Sequence, residues 1–168
     1  EALPFIRAFH ATTLIIRFGG EAMIDHALKE AFARDVALLR LVGMNPIIVH
    51  GGGWRIDQLL RTMGIEIREH RGIRVTDEAT LNVIEMVLGE INQELVGLVN
   101  RFGAKAVGLN GQDGRFIHAR PMSAPPGTGA EAMPDLGHVG DVERIDPDVI
   151  HLLVSRGFVP VIMPIGVG

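Results

Sequence analysis

An apolar, β-branched run that breaks into three glycines, Ile47-Ile48-Val49-His50-Gly51-Gly52-Gly53-Trp54, most constrains what this chain can fold into. Such a run reads as a buried strand, and an amphipathic segment opens directly out of the glycines. Residues without Cβ let backbone N–H groups come close to a ligand, and a helix N-terminus adds unpaired donors and the positive end of its dipole. The stretch therefore predicts a site for a phosphate or a carboxylate. A second corner lies upstream, where Leu14-Ile15-Ile16-Arg17-Phe18 meets Gly19-Gly20 ahead of a helical pattern over Ala27–Val42. Two such units within about fifty residues predict neighbouring strands of a parallel sheet, with both glycine corners on one edge.

The chain has 168 residues, enough for one core-bearing domain at about 100–200 residues per domain. No uninterrupted apolar run approaches the ~20 residues of a membrane helix. The net charge is −4, the sixteen basic residues are spread along the chain, and one Trp with no Tyr leaves little for base stacking. These features argue against nucleic-acid binding. Without cysteine there is no disulfide, thiolate nucleophile or cysteine-zinc site. The amino-terminal stretch lacks the apolar core of a signal peptide, so a cytoplasmic location is expected. Only Lys29 and Lys105 among the basic residues are lysines. An arginine standing where a family pattern has lysine therefore reflects either general composition or lost chemistry.

Residues 2–9 predict a short helix whose apolar face carries Leu3, Phe5, Ile6 and Phe9, with Pro4 in the first turn. Helices are expected from Asp25 over 27–42, over 54–63, from a start at Thr76-Asp77-Glu78 through Val99 to Phe102-Gly103, and over 147–156 under an Asp146 cap. Alternation over Ile65–Val75 around His70-Arg71-Gly72 predicts a hairpin. Further strands are expected at Ala104–Leu109, Arg115–Ala119, Val139–Val142 and Val159–Met163, with a loop or edge excursion at 121–134.

Several familiar chemistries are absent. No Gly-Lys dipeptide exists, so there is no Walker loop, and Gly51-Gly52-Gly53-Trp54-Arg55-Ile56 lacks the third glycine of a dinucleotide fingerprint. Ser123 and Ser155 lie outside any nucleophile elbow, and the histidines show no HExxH spacing. What remains is two glycine corners and two cations, Arg17 at the end of the first strand and Arg74 in Gly72-Ile73-Arg74-Val75-Thr76-Asp77. A guanidinium grips a carboxylate through two parallel hydrogen bonds, which suits an acidic small molecule.

The segments Ile-Ile-Arg-Phe-Gly-Gly-Glu-Ala-Met, Phe-Ala-Arg-Asp-Val-Ala-Leu-Leu, Asn-Pro-Ile-Ile-Val-His-Gly-Gly-Gly, Gly-Ile-Arg-Val-Thr-Asp and Leu-Gly-His-Val-Gly occur in this order. Over essentially the whole chain they resemble the N-terminal half of the N-acetylglutamate kinases of the amino acid kinase family. The resemblance implies an α/β fold, a three-layer αβα sandwich on a mainly parallel sheet. It implies an N-terminal interaction helix at 1–10 and an amino acid-binding lobe at 11–168, with the C-terminal nucleotide lobe absent. The implied reaction moves the γ-phosphoryl group of ATP, with Mg, to the side-chain carboxylate of N-acetyl-L-glutamate in arginine biosynthesis.

By resemblance, Arg17, Gly20 and Gly52 are the catalytic positions, Gly52, Gly53 and Arg74 bind the substrate, and no residue is assigned to a metal. Arg17 stands where the family has a lysine, and Gln112 where it usually has another. The family's later Asn and Asp, and its second catalytic lysine, have no counterpart in the sequence. This chain alone is therefore expected to be inactive and to hold no ATP tightly. A homo-oligomer is implied, a dimer through the Thr80–Val99 helix and a higher assembly through the N-terminal helix. Two other readings are a pseudokinase serving as a metabolite-sensing or oligomerisation module, and a nicotinamide-binding dehydrogenase lobe.

Overall fold

The computed structural model describes residues 2–122 and 134–168. The chain begins with helix α1 (Leu3–Phe9), strand β1 (Thr13–Phe18), helix α2 (His26–Leu41), strand β2 (Asn45–His50) and helix α3 (Gly53–Thr62). Two short strands, β3 (Glu69–His70) and β4 (Ile73–Arg74), lead into the long helix α4 (Glu78–Arg101). Then come β5 (Lys105–Asn110), β6 (Ile117–Pro121), β7 (Gly140–Ile145), helix α5 (Asp148–Ser155) and β8 (Phe158–Met163). Of the excursion expected at 121–134, residues 123–133 lie outside the described residues.

Sequence chemistry sets the helix ends. The Asp25 carboxylate accepts from the Ala27 and Leu28 amides at 2.7 and 3.0 Å, and Asp77 accepts from Thr80 at 2.9 Å. Each satisfies first-turn donors that have no partner within the helix. The start of α5 differs from expectation: Pro147 takes the cap position, and Asp146 reaches the Asp148 amide at 3.3 Å. Proline has no N–H, so Asp148 offers the first amide that Asp146 can meet.

The four-stranded sheet has the order β1-β2-β8-β5, and every pairing in it is parallel. Helices cover both faces, giving the three-layer α/β sandwich expected from the sequence. On one face Ile48, Val159 and Val161 pack with Val36 of α2, Leu60 of α3 and Val87, Leu95 and Val99 of α4. On the other, Ile47, Leu109 and Ile162 meet Phe116, Ile117 and Ile150 of α5. Ile15, paired with Ile47 across the sheet, is 74% exposed, so this second layer does not reach the edge strand.

The hairpin is smaller than the alternation over Ile65–Val75 suggested. It pairs only Glu69 with Arg74 and His70 with Ile73, around a turn in which Arg71 and Gly72 have φ of 52° and 79°. Two successive positive φ angles give the tight turn whose twist suits a two-residue hairpin. Ile65 and Ile67 pack against the helical core outside any strand, and that burial produced the alternating signal. Strands β6 and β7 form a separate antiparallel pair. No helix among the described residues is long and apolar enough to cross a membrane.

Leu95, fully buried where α4 meets the sheet, provides a test of this packing. Leu95→Ala should lower the unfolding free energy by about 2–5 kcal/mol, because the surrounding layers close only partly over the space left. Leu152→Ala, on an exposed side chain, should change it by less than about 0.5 kcal/mol. Urea titrations of both variants check the contrast.

Candidate anion-binding site at the sheet edge

Parallel pairing of β1 with β2 sets Phe18 opposite His50. Both strands thus run out at the same level, and the Gly51 amide donates to the Phe18 carbonyl at 3.2 Å. Gly19-Gly20 and Gly51-Gly52-Gly53 therefore lie side by side on one edge. Strands β8 and β5 end on that edge too, in Pro164-Ile165-Gly166 and Gly111-Gln112. In an open α/β sheet, the edge beyond the strands' carboxyl ends is where ligands bind.

The glycines are there for different reasons. A Cβ on Gly52 would lie 2.8 Å from Ile91 Cδ1 and 3.0 Å from Leu88 Cδ2, so the corner rests directly on α4. A Cβ on Gly51 or Gly53 would meet nothing within 4 Å, so these backbones border open space. Helix α3 starts at Gly53 with no side-chain cap. Its first amides are left for solvent or an anion, at the positive end of the helix dipole.

The structure brings Arg74 to this corner. Its guanidinium pairs with Asp57 of α3, and its side chain is 18% exposed. Asp57 stands four residues beyond Gly53, about 6 Å along the helix axis. Arg74 Nε is buried and is the only such side-chain atom without a partner among the described residues. The following backbone is pinned, with the Thr76 amide donating to Leu136 at 2.8 Å and the Thr76 carbonyl accepting from His138 at 2.7 Å. Arg17 is placed differently. It shares a sheet face with Ile15 and Val49, is exposed, and has no hydrogen-bond or ion-pair partner among the described residues.

A cleft of about 380 Å³ runs along the same edge, between Leu81, Ile84 and Leu88 of α4 and the segment Gly137-His138-Val139. Leu88 lines this cleft and also supports Gly52. Gln112 lines it as well, and its amide donates to Glu85 at 3.1 Å. A hollow of about 340 Å³ beside Phe18, Met23 and Trp54 holds Lys29 and Arg55, but Glu94 and Glu90 neutralise them. Chemically, then, the edge offers uncapped amides and one guanidinium with a donor to spare, suited to a small acidic ligand.

Sequence reasoning missed Asn92, Asp57 and the buried state of His50. Asn92 Nδ2 donates to the Val161 carbonyl at 2.9 Å and lies 3.1 Å from His50 Nε2, while His50 Nδ1 lies 3.1 Å from the Gly51 carbonyl. Burial pushes the imidazole pKa below its ordinary 6.5, with the Gly51 hydrogen bond working the other way. A lone Asn on an apolar helix face, opposite a glycine inside a strand, was the available signal.

The family model described as the amino acid kinase family matches residues 12–168. The chain belongs to that family. It is 53% identical over 169 residues to the acetylglutamate kinase of Nitrosomonas eutropha, covering 100% of this chain and 57% of the relative. The acetylglutamate kinase of Methylobacillus flagellatus is also 53% identical, with 100% and 58% covered. The chain thus spans somewhat over half the length of the curated relatives it matches. The fold also resembles N-acetylglutamate synthase from Neisseria gonorrhoeae complexed with coenzyme A and N-acetyl-glutamate. The TM-score is 0.81 at 24% identity, covering 100% of this chain and 37% of that one.

The neutral, buried His50 makes stability fall in mild acid. The unfolded chain takes up the proton near 6.5 while the folded chain resists it, so unfolding becomes easier as pH drops through that value. Asp77, held below its ordinary 3.8 by the Thr80 hydrogen bonds, acts only in stronger acid. Urea midpoints should therefore decline from pH 7 to pH 5, and the slope of that decline should be smaller in His50→Asn.

Proposed function

We propose that this chain is the amino acid-binding part of an acetylglutamate kinase, holding N-acetyl-L-glutamate for phosphorylation of its side-chain carboxylate. One observation carries the reading: the unpartnered Nε of Arg74 beside the uncapped start of α3. A buried donor left without an acceptor costs about 1–3 kcal/mol. Binding that turns the guanidinium so that a substrate carboxylate meets Nε removes that cost and brings charge to the amides. The acetylglutamate kinases that match the chain support the choice of acyl amino acid.

The chemistry asks little of side-chain acids and bases. A carboxylate with a pKa of about 4.3 is already ionised at neutral pH, so no general base is needed. What remains is to align acceptor and donor and to neutralise charge on the moving group. Amides of Gly20 and Gly52 meet the phosphoryl group, Gly52, Gly53 and Arg74 hold the amino acid, and Arg17 supplies a cation near the attacking and leaving oxygens. ATP is the co-substrate that supplies the group, and its binding belongs with the part of the relatives that this chain does not span. No three carboxylate or imidazole groups cluster among the described residues. Magnesium is therefore expected on the phosphates of ATP, as is usual for that ion.

Helix α4 presents Asn82, Met86, Gly89, Gln93 and Gly97 away from the core, a row without charge. Two glycines inside a helix cost about 1 kcal/mol each relative to alanine, which fits close approach of a second copy. Leu3, Phe5 and Phe9 of α1 are exposed and none is buried by the chain itself, which supports the role of 1–10 as an interaction helix. The second reading, a catalytically impaired sensor, is favoured by Arg17 and Gln112, which stand where the family has lysines, Arg17 on the outer sheet face.

Calorimetry tests the proposal. N-acetyl-L-glutamate should bind, and Arg74→Ala should weaken it by about 10–100-fold, the value of a charged hydrogen bond. Equal heats for both proteins, or none for either, would reject the assignment. Gly97→Glu should shift sedimentation toward the monomer if the α4 row is a dimer contact, and an unchanged profile removes that contact.

A further inference from the structure

The mechanism above leaves His50 and Asn92 unused, although they are buried polar groups directly behind the glycine corner. The sheet register explains how they meet. His50 and Ile48 share a face of β2, Ile48 pairs with Val161 of β8, and Val161 pairs with Gly108 of β5. A Cβ on Gly108 would lie 2.0 Å from Asn92 Oδ1. Glycine at this point in the strand is what lets the Asn92 amide enter the sheet layer.

Donors and acceptors then fix one another in turn. Val161 offers a carbonyl, so Asn92 must turn its NH₂ toward it, at 2.9 Å. The same NH₂ faces His50 Nε2 at 3.1 Å, which makes Nε2 an acceptor and leaves the ring proton on Nδ1. Nδ1–H in turn donates to the Gly51 carbonyl at 3.1 Å. All described peptide bonds are trans, so the Gly52 N–H points opposite to that carbonyl, away from His50. A peptide flanked by two glycines has little conformational preference of its own. Turned over, it would present a carbonyl oxygen where an anion should meet a donor.

We infer that His50 and Asn92 are positioning residues that lock the Gly51-Gly52 peptide with its N–H turned into the anion-binding corner. The inference rests on the reading of that corner given under Proposed function. Neither side chain touches the ligand; both act through the one amide.

The experiment uses the 168-residue chain with N-acetyl-L-glutamate as probe. His50→Leu removes the donor to Gly51, whereas His50→Asn puts an amide N–H close to the place of Nδ1–H. Affinity should fall about tenfold in His50→Leu and the Gly52 amide resonance should stop responding to ligand. In His50→Asn both should return to within about threefold of the original. Wild-type affinity in His50→Leu, or His50→Asn no better than His50→Leu, would overturn the inference. Should His50→Leu fail to fold, the ¹⁵N spectrum of the unsubstituted chain decides: a proton on Nδ1 supports the lock and a proton on Nε2 refutes it. If the unsubstituted chain binds no N-acetyl-L-glutamate, the kinase reading fails, and the tautomer still upholds or overturns the lock by itself.

Discussion

The parallel register of β1 on β2 is the constraint on which everything at the edge depends. With Phe18 level with His50 and the Gly51 amide bonded to Phe18, two glycine corners more than thirty residues apart in sequence become neighbours. A slip of one residue would turn every β1 side chain to the opposite face. Phe18, which now stacks on Phe32 with ring centroids 4.0 Å apart, would leave the core, and Arg17 would enter it. The hydrophobic core on the α4 side thus enforces the alignment of the corners, and packing and site geometry cannot vary independently.

The corner's electrostatics come mostly from backbone. Uncapped amides at the start of α3 carry partial positive charge without a titratable group, so their effect does not vary with pH. Arg74 adds a full positive charge, paired with Asp57, and its buried Nε is left without an acceptor among the described residues. Asp57 also keeps the guanidinium from being a bare cation when no ligand is present. Such an arrangement suits an acceptor that arrives already ionised, where fixed donors matter more than proton transfer.

Much of this was legible in the sequence because the signals were local. Apolar runs ending in glycine gave the strands and their corners, and Asp25 and Asp77 marked the starts of α2 and α4. Where burial imitates a local signal, as at Ile65 and Ile67, the alternation was read as a longer hairpin than exists. The Asp57-Arg74 pair joins residues seventeen positions apart and the Asn92-His50 contact residues forty-two apart. No periodicity encodes either, because each needs the sheet register and a helix docked on it. Gly108 was read only as part of a buried strand, while the structure shows a space kept for Asn92.

The uneven covering of the sheet bears on Arg17. Strand β1 is an edge strand whose outer face, with Ile15 and Arg17, has no helix over it among the described residues, whereas its inner face is packed tightly. A cation two residues before Gly19 must reach round the end of its strand to meet an anion held by the amides of both corners. A lysine ammonium can do this as a compact point charge on a flexible stem; a guanidinium brings a planar fork that prefers paired acceptors. In this chain Arg17 is suited to clasping two oxygens of one group more than to sitting between two groups in line. The exposed face of β1 thus carries an arginine with no partner among the described residues, while the packed face fixes the two glycine corners.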